Sequence, residues 1–285
     1  MHSEIIKGVL RRQKLHIAKA ITHIENKTVI SSKLLSNLYS EMGTAYRIGI
    51  TGPPGAGKSS ITDKLIAKFR EQDKSVAVIV VDPTSPFTGG AILGDRIRMI
   101  RHYNDSHVYI RSMASRNENG GLAKSTIEVG DILDAAGFDV IIFETVGVGQ
   151  VEIDVIEAAD TTIVVLVPES GDDIQMMKAG LMEIADIFAI NKSDRPGSNK
   201  LFISILNLFS ENLKKETLWS PKVIKTVAIK DDGIDDLLKN IYLHQKFIKE
   251  TGLRNKKISY RYSKQVKEII LSKQDKDFWN EYRLK

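Results

Sequence analysis

The sequence predicts an α/β protein: a doubly wound, mostly parallel sheet with helical extensions at its N- and C-terminal ends. Apolar runs of strand length at 47–51, 76–81, 108–112, 140–143, 162–167, 187–190 and 223–227 alternate with amphipathic stretches. The runs are continuously apolar, which suits parallel strands buried on both faces and joined by helical crossovers. Outside 44–250 the strand signal disappears and helical spacing remains. Residues 1–43 therefore read as an N-terminal helical extension and 251–285 as a C-terminal helical tail.

In chain order, Ile5, Val9, Leu10, Leu15, Ile17, Ala18, Ile21 and Ile24 stack on one face of a single helix over 4–25. This segment is basic, but Glu4 and Glu25 interrupt it and no apolar signal core follows, so it is expected to fold rather than to target. Helices over 59–69, 121–136, 173–183, 199–213 and 234–250 lie between or after the strands, and 256–278 forms a lysine-rich helix.

A chain of 285 residues, 42% apolar, suffices for one large core. With 41 basic and 36 acidic residues the net charge is +5, a modest excess that requires no nucleic-acid partner. No apolar run approaches the ~20 residues that cross a bilayer, so no membrane partner is expected. The chain has no cysteine, which excludes a disulfide, a cysteine zinc site and a thiol nucleophile, and suits a reducing compartment such as the cytoplasm.

The first chemical signal is Gly52-Pro53-Pro54-Gly55-Ala56-Gly57-Lys58-Ser59, placed after an expected strand and at the start of an expected helix. That context marks a P-loop: backbone N–H groups of Gly52, Gly55, Ala56, Gly57 and onward to Ser60 wrap a phosphate, and the helix N-terminus adds positive potential. Lys58 reaches the β- and γ-phosphates, and Ser59 offers a hydroxyl to Mg²⁺.

The second is Asn191-Lys192-Ser193-Asp194 at the end of an expected strand, the edge where open α/β sheets bind ligands. A carboxylate there accepts both N1–H and the exocyclic amine of guanine, a pair that adenine cannot offer. GTP and GDP are therefore the expected nucleotides, contacted by Asn191, Lys192 and Asp194. The stretch Val227-Ala228-Ile229-Lys230 brings a further backbone N–H, that of Ala228, towards the guanine carbonyl oxygen. For Mg²⁺, the carboxylates Asp82, Asp95 and Glu144 fall at or beyond strand ends and join Ser59 as candidate ligands or water partners.

Longer motifs then bear a resemblance. These are Asp82-Pro83-Thr84-Ser85-Pro86-Phe87-Thr88-Gly89-Gly90 through Gly94-Asp95-Arg96-Ile97-Arg98-Met99, Glu144-Thr145-Val146-Gly147-Val148-Gly149-Gln150-Val151-Glu152, and Asn191-Lys192-Ser193-Asp194. Over about 17–238 the sequence resembles the MeaB/ArgK/MMAA family of P-loop GTPases, which protect and reload cobalamin-dependent acyl-CoA mutases such as methylmalonyl-CoA mutase. The resemblance implies a nucleotide-switched chaperone whose partner is that mutase and which does not bind cobalamin itself. It implies that Lys58 and Ser59 contact phosphate and Mg²⁺, that Asp82, Asp95 and Glu144 are metal-proximal switch residues, that Gly147 donates to the γ-phosphate and that Asp194 reads guanine. It also makes 168–180 an additional switch facing the mutase, with Lys178 serving hydrolysis beside Lys58 and Glu144. A homodimer formed through a C-terminal helical arm is implied as well, although the tail here is short and lysine-rich for the family.

Three other readings remain, one of them a purely structural adaptor with a dead nucleotide site, against which the presence of Lys58, Ser59 and Asp194 argues. A metallochaperone GTPase would share the nucleotide site but carry a Cys or His cluster, whereas the histidines here are scattered. A kinase linked to basic amino-acid transport would need an acceptor pocket and a base beside the γ-phosphate. His102 and His107 are expected to be structural, as are Arg98 and Arg101 unless they steer phosphate.

Overall fold

Valine and isoleucine dominate the runs that the sequence marks as strands, and in the computed structural model these runs are the buried centre of the molecule. The structure describes residues 2–83, 99–115, 121–145, 158–169, 184–212 and 219–278. The N-terminal helices are α1 (His2–Leu10), α2 (Lys14–Glu25) and α3 (Val29–Leu38). Next come β1 (Tyr46–Thr51), α4 (Lys58–Arg70), β2 (Val76–Pro83), β3 (Val108–Ser115), α5 (Gly121–Ala135) and β4 (Val140–Thr145). They are followed by β5 (Thr161–Leu166), β6 (Ile187–Ile190), α6 (Ser198–Asn212), β7 (Lys222–Lys225), α7 (Ile234–Glu250) and α8 (Leu253–Phe278).

The strands form one sheet of 7, in the order β3-β2-β4-β1-β5-β6-β7. Every neighbouring pair is parallel. All strands therefore end at the same edge, where the order reverses around β1 and a ligand crevice is expected. The register sets Ile50 of β1 opposite Glu144 of β4, so the carboxylate emerges beside the loop that follows β1.

The last strand departs from expectation. A run over 223–227 was expected, but β7 stops at Lys225, is partly exposed and, among the described residues, has only β6 as a strand neighbour. Lys222 and Lys225 bracket it, the charged signature of an edge strand. Val227 instead bridges to Asp232 across a short 3₁₀ turn, Ala228–Lys230.

The N-terminal segment differs more. The single helix expected over 4–25 is two, because Arg12 adopts φ 54 between α1 and α2. Its guanidinium donates to Ala136 O and Gly137 O and lies 5.0 Å from the Phe138 ring centroid. Contacts distant in sequence thus outweigh helical continuity. α3 falls within the helical extension expected over 1–43 but was given no bounds of its own; it buries Leu34 and Leu38, but its serines are weak helix formers and mask the period. The helix expected over 173–183 lies outside the described residues.

A buried charge cluster holds the start of β1 to α5. Arg47 donates to Asp131 Oδ1 at 2.8 Å and to Asp134 Oδ2 at 3.3 Å, and Asp134 also accepts the N–H groups of Gly43, Thr44 and Ala45. Burial alone would ease the proton off Arg47, but Asp131 and Asp134 outweigh it and hold the guanidinium above its ordinary value.

The chain divides into two compact units, Met1–His244 and Gln245–Lys285, and the division falls within the residues of α7. Among the described residues, no helix is long and apolar enough to cross a membrane.

Candidate functional site

The loop after β1 is built to bring backbone close to other groups. Gly52 (φ +145) and Gly57 (φ +90) adopt conformations that L side chains avoid, and a Cβ at either would sit 2.1 Å from Val165 O or 2.2 Å from Asn191 Nδ2. Gly57 leads directly into α4, whose first residues are Lys58, Ser59 and Ser60. At Gly55 a Cβ would meet nothing within 4 Å, so the loop has an open side. A backbone cradle at a helix N-terminus fits a phosphate chain.

Lys58 is buried and its Nζ donates to Gly52 O at 2.7 Å and Pro53 O at 3.0 Å. The ammonium is thereby held within the loop. Ser59 Oγ donates to Glu144 Oε1 at 2.5 Å, and Thr62 Oγ1 donates to Glu144 Oε2 at 2.6 Å. Both oxygens of a fully buried carboxylate are thus engaged from one face of α4, since Ser59 and Thr62 stand one turn apart. Below them Thr145 Oγ1 donates to Thr51 Oγ1 at 3.0 Å and ties β4 to β1. Sequence reasoning overlooked Thr62; its signal was the i, i+3 spacing from Ser59.

The loop after β6 is fastened to this cradle. Asn191 Nδ2 donates to Ala56 O at 2.9 Å, and Lys192 Nζ donates to Gly55 O at 2.8 Å. Asn191 Oδ1 accepts Ala228 N–H at 3.1 Å and Thr226 Oγ1 at 3.3 Å, which binds the turn after β7 into the same assembly. Asp194 is partly exposed and pairs with Lys230 at 3.0 Å. That hydrogen bond holds the Asp194 carboxyl below the ordinary carboxylate range.

Of the expected site residues, the structure brings together Gly52, Gly55, Ala56, Gly57, Lys58, Ser59, Glu144, Asn191, Lys192 and Ala228, with Ser60 and Asp194 adjoining in sequence. Asp82 is placed by its backbone at the C-terminal end of β2. Asp95, Gly147 and Lys178 lie outside the described residues. Arg101 and His102 both engage Asp63 of α4, at 2.8 and 3.0 Å, and are structural there. Among the described residues, no three His, Cys, Asp or Glu side chains gather as a metal cluster.

The family model described as methylmalonyl Co-A mutase-associated GTPase MeaB matches residues 17–282. The chain belongs to the MeaB family. A putative GTPase from Pyrococcus horikoshii is 48% identical over 269 residues, spanning 94% of this chain and 85% of that protein. GTPase ArgK of Escherichia coli is 36% identical over 244 residues, covering 82% of this chain and 73% of its own. The mitochondrial methylmalonic aciduria type A homolog of mouse is 33% identical over 250 residues, 81% of this chain and 60% of that one. Among solved structures, one described as an LAO/AO transport system kinase superposes with a TM-score of 0.75 at 28% identity, covering 99% of this chain and 89% of the other. MeaB-family membership makes this chain a P-loop GTPase.

Proposed function

We propose that this chain hydrolyses GTP to GDP and phosphate, and uses the bound nucleotide to gate protection and cofactor loading of a cobalamin-dependent acyl-CoA mutase, with methylmalonyl-CoA mutase the first candidate. The observation that carries this reading is the direct attachment of the base-reading loop to the phosphate loop, through Asn191 to Ala56 O and Lys192 to Gly55 O. A nucleotide held there has its phosphates and its base positioned by one connected assembly.

Lys58 and the N-terminus of α4 supply fixed positive charge to the phosphates, and the reaction needs no covalent nucleophile. The hydroxyl of Ser59 and carboxylate of Glu144, 2.5 Å apart, form the hard oxygen set that suits Mg²⁺. Bound with nucleotide, Mg²⁺ would neutralise charge developing on the β- and γ-phosphates. Glu144 orients Ser59, and Thr62 orients Glu144. Asp82, Asp95, Gly147 and Lys178 are the proposed switch and partner-responsive residues.

The test combines two measurements: phosphate release from GTP by the purified chain with Mg²⁺, and mutase capture from the source organism on a non-hydrolysable GTP analogue. Free phosphate and a co-purifying cobalamin mutase are expected. Equal affinity of GTP and GDP forms for the mutase, with equal effect on cobalamin loading, overturns the chaperone reading. The resemblance to a structure described as a kinase keeps a second reading. Transfer of the γ-phosphate to a metabolite or protein in place of water would establish it.

A further inference from the structure

Lys230 is not part of the phosphate cradle, yet the fold directs it onto Asp194. Its backbone is pinned on several sides. Lys230 N–H donates to Val227 O at 2.8 Å, Val227 N–H donates to Asp232 O at 2.9 Å, and Asp231 takes φ 59 to close the turn. Lys64 of α4 holds Asp231 at 2.6 Å, and Ala228 N–H is anchored on Asn191. Opposite, Ser193 N–H donates to Thr226 O at 3.1 Å, and Arg195 N–H donates to Lys192 O at 3.0 Å across the left-handed Lys192. Two loops stitched to one another by backbone bonds thus hold the ammonium of one against the carboxylate of the other. An exposed pair of this kind adds little to stability. Its consequence falls on the ligand.

We propose that Lys230 is a positioning residue for base recognition, holding Asp194 in the orientation and ionised form that the N1–H and exocyclic amine of guanine require. This rests on the reading of Asp194 as the guanine acceptor. Each carboxylate oxygen accepts twice. Lys230 takes one place on Oδ2 and leaves one there and two on Oδ1, so both guanine donors are still accommodated. The other cations near Asp194 are engaged elsewhere, Arg195 with Glu169 and Lys192 with Gly55 O. The hydrogen bond from Lys230 is therefore the largest influence keeping the proton off this carboxylate, with its own backbone and the charge of Arg195 adding to it. Its loss lets Asp194 protonate at higher pH, and a protonated carboxyl accepts guanine poorly.

The experiment is calorimetric titration of GDP, IDP and ADP between about pH 3 and 8 into wild type, Lys230→Met, Lys230→Arg and Asp194→Asn. IDP lacks the exocyclic amine and so reports the second bond. Lys230→Met is expected to weaken GDP about two- to fivefold, the range of an exposed ion pair. It should also narrow the preference for GDP over IDP and move the acid loss of GDP binding to higher pH, and Lys230→Arg should restore all three. Wild-type behaviour of Lys230→Met at every pH overturns the proposal, as does an equal loss for all three nucleotides with no shift of the acid limb. Asp194→Asn separates the two levels. If it leaves the GDP preference unchanged, the guanine reading itself fails; if it abolishes the preference while Lys230→Met has no effect, only the role of Lys230 fails.

Discussion

Ser59 donates its hydroxyl to Glu144 Oε1 at 2.5 Å, and this bond joins the first turn of α4 to the end of β4. Thr62 engages the other carboxylate oxygen, so Glu144 has no freedom to turn away from Ser59. A hydrogen bond to a charged group is worth about 1.5–3 kcal/mol. Thr62→Val is therefore expected to lower kcat for GTP hydrolysis roughly tenfold, through a misplaced carboxylate, with GDP affinity nearly unchanged. Steady-state phosphate release checks this. An unaltered kcat would mean that Thr62 does not position Glu144.

Asp194→Asn should change which purine is bound. An amide offers one acceptor and one donor, so it loses a bond to guanine and gains one to the C2 carbonyl of xanthine. GDP affinity is expected to drop roughly ten- to a hundredfold, with XDP binding rising in parallel. Competition between the two nucleotides measures it, and an unchanged GDP to XDP ratio would remove Asp194 from base recognition.

The placement of the candidate loops at 52–59 and 191–194 beside their strands was legible because each is a short contiguous motif, where local sequence determines backbone form. What Glu144 touches was not. The Thr62 bond spans 82 residues and follows from β4 lying beside β1, a pairing that no local pattern states. The same holds for Arg12, whose partners Ala136 and Gly137 lie across the fold, and for β7, whose edge position depends on strand order. Periodicity reports burial on a face; it does not name the residue opposite.

Asp63 makes acid stability a readout of how the 99–103 segment is held to α4. Burial raises its carboxyl pKa, but the bonds from His102 and Arg101 lower it further, so the net position is below the ordinary 3.8. A depressed carboxylate contributes stability that is present above its unfolded value and lost as pH falls through its folded value. Wild type should therefore lose stability below about pH 4 more steeply than Asp63→Asn. Urea midpoints between pH 7 and 3 give the comparison, and parallel curves would refute it.

Arg47 presents the sharpest stability test, because two buried carboxylates depend on it. Asp131 and Asp134 have side chains only 5% and 1% exposed, and Arg47 is the cation between them. Removing one partner of a buried pair leaves the other charges uncompensated and costs about 3–5 kcal/mol. Arg47→Met should lose that amount in chemical denaturation. The triple variant Arg47→Met, Asp131→Asn, Asp134→Asn tests the cause, since it removes the uncompensated charge along with the cation. It should recover part of the loss, though the N–H groups of Gly43, Thr44 and Ala45 keep an acceptor at 134 only through the Asn amide oxygen. If the triple variant is no more stable than Arg47→Met alone, the penalty lies in lost packing around the guanidinium stem and not in buried charge.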